Sequence, residues 1–117
     1  MPHAIDAANP PSEWLGGVSE QARDQYRALR LTLAATGPLD RNTCELINVV
    51  GFVMLGYEAS FKAHARRLVD AGYPKAALQQ AVVTTLGATT VLFQVARALT
   101  WIEDLFAELE GVTPSNA

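Results

Sequence analysis

The stretch that decides the fold is Glu45-Leu46-Ile47-Asn48-Val49-Val50-Gly51-Phe52-Val53-Met54-Leu55-Gly56-Tyr57-Glu58-Ala59-Ser60-Phe61-Lys62-Ala63-His64. Its first half is apolar almost without a break, and Gly56 separates it from a half that is apolar only at intervals. After the glycine, Phe61, Ala65 and Leu68 recur at spacings of four and three, which predicts an amphipathic helix over 57–71. Before it, Asp40 supplies an N-cap acceptor for a helix over 41–55, and a carboxylate there suits the positive end of the helix dipole. Leu46, Ile47, Val49, Val50, Phe52, Val53, Met54 and Leu55 run nearly all round that helix, so it is expected in the middle of the core. Two helices joined at Gly56 form an antiparallel hairpin, in which residues equidistant from the turn lie level.

Outside the hairpin the signals are helical as well. Ala22, Tyr26, Leu29 and Leu33 recur at four, three and four over 19–36, between a Ser19 cap and the breaker Gly37-Pro38. Arg23, Arg27 and Arg30 form a second stripe on that helix, expected to be a solvated face. Leu78, Ala81, Val82 and Thr85 mark the inner side of a helix over 75–86, entered through Gly72 and Pro74. Leu92, Val95, Leu99, Ile102, Phe106 and Leu109 step by three and four over 89–109, a seam suited to core packing or to a subunit contact. With no strand alternation and no internal repeat, the expected class is all-α: a single-domain helical bundle of about five helices. Pro2, Pro10, Pro11, Gly16 and Gly17 predict an irregular arm over 1–18, followed by the helical domain over 19–111 and a frayed tail over 112–117.

Composition narrows the function classes. A chain of 117 residues makes one domain, and at that length folding hides about two-thirds of the unfolded surface. With 50% hydrophobic and 18% charged residues, a homo-oligomer is expected, because a solitary chain has too little interior for its apolar side chains. The net charge of −3 and the lack of a long basic run argue against nucleic acid as a partner. The tracts 46–55 and 81–96 are too short or too interrupted by threonines to cross a membrane. The N-terminus shows no basic segment followed by an apolar one, so a cytoplasmic location is expected. Cys44 is the single cysteine, which rules out an intramolecular disulfide, a CxxC redox pair and a thiolate zinc cluster. No metal site is expected, since His3 falls in the arm and no second His lies near His64.

The hairpin geometry carries the chemistry. His64 falls level with Ile47, and Glu45 is two residues away, an offset of about 3 Å that long side chains span. A carboxylate beside an imidazole orients it and lets it move protons near neutral pH. Tyr57, Ser60 and His64 share a face of the helix after the turn, and Glu45 and Asn48 share a face of the one before it. Lys62, Arg66 and Arg67 are nearby candidates for recruiting an anion. A buried Glu–His pair can equally be a structural hydrogen bond, and spacing alone leaves both readings open.

Three segments, 39–47, 64–72 and 78–86, resemble the carboxymuconolactone decarboxylase superfamily, which includes the alkylhydroperoxidase D branch, and the likeness covers 39–109. The resemblance implies an all-helical fold assembled as homotrimers or homohexamers, working without a cofactor. In the peroxidase branch a Glu precedes a C-x-x-C-x-x-x-H motif. Glu45 and His64 match its proton relay, but Tyr57 and Ser60 occupy the places of the two cysteines. A thiol cycle cannot run without an attacking thiolate and a resolving partner. The decarboxylase branch has a Glu six residues before the His, matched by Glu58. The resemblance therefore implies a lyase doing decarboxylation or isomerisation on a small anionic lactone or related acid. His64 would be the general acid/base, Glu45 its orienting partner, and Tyr57, Ser60, Glu58 and Asn48 the substrate-binding residues. Two alternatives accompany it: an alkylhydroperoxidase-like antioxidant protein with a degenerate redox site, and a non-catalytic oligomeric binding protein of the same fold.

Overall fold

A computed structural model describes residues 11–111 and shows six helices there: α1 (Pro11–Gly16), α2 (Glu20–Ala34), α3 (Arg41–Leu55), α4 (Glu58–Asp70), α5 (Lys75–Thr84) and α6 (Leu92–Leu109). The class is all-α, with one helix more than the periodicity predicts. The extra helix is α1, which replaces the described part of the expected irregular arm; Pro11 sits at its start, where a missing N–H goes unneeded. The rest of the arm, 1–10, and the tail, 112–117, lie outside the described residues.

The predicted caps form. Ser19 Oγ accepts the Ala22 N–H at 3.1 Å to start α2, and Asp40 Oδ1 accepts the Thr43 N–H at 2.7 Å to start α3. The Thr43 bond holds the Asp40 carboxyl below its ordinary value, because it favours the charged form. At the other end of α3, Gly56 adopts φ +73° and its N–H reaches the Phe52 carbonyl at 2.9 Å. A Cβ on Gly56 would lie 2.8 Å from Arg97 Nη2. Gly56→Ala should therefore cost about 1–2 kcal/mol from left-handed strain alone. Chemical denaturation would show this as a lower midpoint at unchanged slope, and an unmoved midpoint would contradict it.

Packing centres on α4. Its Phe61, Ala65 and Leu68 are fully buried, as their spacing predicts, among Val49 and Val53 of α3 and the inner face of α6. The Phe61 and Trp101 rings stand 5.3 Å apart at 56°. Leu78 and Val82 close the core from α5, with Ala81 and Thr85 half-buried beside them.

Three expectations need correction. First, α3 does not lie in the middle of the core: Val49 and Val53 are buried, while Ile47 is 53% exposed and Met54 and Leu55 also face outward. A helix packed on its neighbours along one side leaves its other apolar residues uncovered within a single chain. Second, the seam of α6 enters the core everywhere but at its start: Val95 and Ile102 are buried and Leu99, Phe106 and Leu109 pack against the core beside buried Ala98, Trp101 and Leu105, whereas Leu92 is 68% exposed. Third, α2 buries none of its residues. It packs chiefly on α1, and the arginine stripe supplies the contact: Arg23 pairs with Asp24 and Glu13 at 3.2 and 3.8 Å, and Arg27 with Glu13 and Ser12.

Candidate functional site

The α3–α4 hairpin brings Glu45 and His64 into direct contact, Glu45 Oε1 meeting His64 Nδ1. Both side chains retain 14% exposure, so the pair is largely desolvated yet open to solvent. With Nδ1–H donated to the carboxylate, the lone pair sits on Nε2, which has no hydrogen-bond partner among the described residues. The Phe52 ring, one turn and more beyond Glu45, packs 5.0 Å from the imidazole centroid and fixes its other side. Burial lowers the His64 pKa below its ordinary 6.5; the Glu45 charge opposes that shift, while Arg67 and Arg30 add to it. The imidazole is thus held neutral around pH 7, in the form that can take up a proton.

The remaining candidates divide. Tyr57 caps α4 and stands exposed, its ring 6.3 Å from Phe52, and Ser60 is half-buried one turn before His64. Asn48 is half-buried one turn after Glu45, and its amide makes no hydrogen bond among the described residues. Glu58 is the departure. Six residues at 3.6 per turn rotate it about 120° from His64, and it pairs instead with Lys62 at 3.0 Å, a lysine that also lies 3.7 Å from Glu108 and 4.0 Å from buried Asp104. Glu58 therefore faces α6 rather than the imidazole.

Two arginines already noted in the sequence, one as an anion-recruiting candidate and one in the α2 stripe, join the site. Arg67 Nη1 lies 3.5 Å from Glu45 Oε1 and 3.4 Å from His64 Nδ1. Its place three residues after His64 was a usable signal, since such residues are neighbours on a helix. Arg30 of α2 is near enough for its charge to act on the imidazole, and only the placement of α2 reveals that.

The structure also contains an open, largely apolar cavity of about 450 Å³ between α3 and α5, lined by Leu46, Ile47, Val50, Tyr73 and the α5 face from Ala77 to Thr84. It opens on the side of α3 turned away from Glu45. Its threonine hydroxyls are occupied locally, Thr84 donating to the Gln80 carbonyl and Thr85 to that of Val82. Volume alone would favour this cavity, but the convergence of titratable groups favours the Glu45–His64 pair. Among the described residues no three His, Cys, Asp or Glu side chains are grouped to hold a metal ion, and no helix is long and apolar enough to cross a membrane. Comparison with family models, curated proteins and solved structures finds no match to this chain.

Proposed function

We propose that this chain is a cofactor-independent acid/base enzyme of the carboxymuconolactone decarboxylase type, acting on a small anionic lactone or related acid. The observation that carries it is the Glu45–His64 contact, with Nε2 unpartnered and both groups reaching solvent. Glu45 selects the Nδ1–H tautomer and stabilises the imidazolium that forms when Nε2 takes a proton. In a decarboxylation the C–C bond to the carboxylate breaks, CO₂ leaves, and the electron pair passes into the lactone as an enolate. His64, charged by a proton from water, returns that proton to carbon. In an isomerisation His64 removes a proton at one carbon and restores it at another. Tyr57 and Ser60 would border the bound lactone on the same side of α4.

The direct test incubates the purified chain with lactone carboxylates and follows CO₂ release and lactone absorbance. Turnover that requires His64 supports the reading; no turnover across the panel, or turnover unaffected by His64→Gln, overturns it.

We infer in addition that the working form is a homo-oligomer, a trimer or hexamer. Tyr26, Leu29, Leu33, Ile47, Leu92 and Phe93 are all exposed in the single chain. The radius of gyration, 15.0 Å, exceeds the roughly 13 Å of a compact domain of this size. Sedimentation should return a multiple of 12.6 kDa, and a monomer at micromolar concentration would refute it.

A further inference from the structure

We propose that Arg67 of α4 and Arg30 of α2 form a two-helix carboxylate anchor above the Glu45–His64 pair and set the charge of the ligand it accepts. The inference rests on the acid/base reading of that site and adds to it the residues that recognise the anion.

Arg67 is held at one end only. Nη1 lies 3.5 Å from Glu45 Oε1 and 3.4 Å from His64 Nδ1, while Nη2 and Nε have no partner among the described residues and the side chain is 63% exposed. When His64 donates Nδ1–H to Glu45, Arg67 cannot donate to the same nitrogen, so its remaining N–H groups point their capacity outward. A guanidinium edge with two unused donors fits the two oxygens of a carboxylate.

Arg30 completes the charge pattern. The other members of its stripe are neutralised, Arg23 by Asp24 and Glu13, and Arg27 by Glu13. Arg30 has no ion pair among the described residues, is half-buried, and lies near enough for its charge to act on His64. Of the other basic residues near His64 in sequence, Lys62 is taken by Glu58 and Glu108, and Arg66 by Asp70 at 3.4 Å. Around the neutral imidazole there are then two guanidinium charges and one carboxylate, a surplus of one positive charge. A monoanion balances it. Because Arg30 comes from a helix with no buried residue, the anchor is assembled only when α2 is docked, and a bound carboxylate would in turn hold α2 in place.

Binding can be read without turnover, from the imidazole ¹⁵N signals of His64 in the full chain. The probes are 5-oxotetrahydrofuran-2-carboxylate, which carries one carboxylate, and uncharged γ-butyrolactone, which has the same ring without it. The carboxylate should bind at least tenfold more tightly than the neutral lactone and weaken with added salt. Arg67→Ala and Arg30→Gln should each weaken carboxylate binding roughly tenfold, the loss of one charge-assisted hydrogen bond, while Arg67→Lys recovers part of it. Equal binding of the two probes, no binding of the carboxylate, or variants that bind it like the parent would each overturn the anchor. Failure of the acid/base reading has a separate signature. Arginine-dependent carboxylate binding without any lactone turnover retains the anchor and discards the enzyme, and turnover with no arginine dependence does the reverse.

Discussion

His64→Gln should lower turnover of the lactone acid by about 100- to 10,000-fold, the range usually lost with a general acid or base. Glutamine keeps a hydrogen-bonding side chain of similar reach beside Glu45 but cannot carry a proton through the reaction. For an isomerisation, which starts from the neutral imidazole, the wild-type rate should fall on the acid side as the imidazole becomes protonated. Because burial, then Arg67 and Arg30, lower the His64 pKa against the pull of Glu45, that limb should lie below pH 6.5. Glu45→Gln removes the charge that raises the pKa, so the limb should move to still lower pH while the maximum rate drops. Arg67→Ala should move it the other way. The same shift makes a statement about stability: a depressed imidazole pKa means the unfolded chain binds a proton that the folded chain resists. Stability should therefore be at its full value above about pH 6.5 and decline as pH falls below it, and His64→Gln should flatten that decline. A Glu45→Gln profile identical to the wild type would show that the carboxylate does not orient the base.

Phe61→Ala should be among the most damaging substitutions in the core, costing about 3–5 kcal/mol against the roughly 5–15 kcal/mol that holds a domain of this kind together. Phe61 is completely buried, and its ring is the contact between α4 and Trp101 of α6. Truncation removes the transfer energy of the ring and opens a cavity that Trp101, already fixed between Arg97 and Phe61, is poorly placed to fill. Denaturant unfolding should show the loss directly, and tryptophan fluorescence should report the loosened Trp101. A loss under about 1 kcal/mol would mean that α6 collapses into the space. Since Phe61 lies one turn before His64 on α4, the variant should also misplace the imidazole, so its activity has to be compared with its folded fraction.

Much of this molecule was legible in its residues. Asp40, Gly56 and the Phe61-Ala65-Leu68 triplet specify the hairpin locally, through a capped N–H, a left-handed residue and a three-four spacing, and each is found as expected. Glu45 meets His64 for the same reason: once the turn is placed, 1.5 Å per residue fixes which side chains are level. Glu58 illustrates the limit of spacing by analogy, because six residues along a helix carry it to another face, where Lys62 holds it.

Short-range rules thus determined the helix ends, the hairpin register and the Glu45–His64 contact, because each depends on groups within a few turns of one another. The tertiary structure alone decided the exposure of Leu92 at the start of α6, the outward exposure of much of α3, and the action of the Arg30 charge on His64. Those outcomes depend on how helices remote in sequence are placed against one another, which no local spacing encodes. The surplus of apolar side chains was evident from composition; where it is left uncovered, on α2, α3 and the start of α6, is a matter of packing.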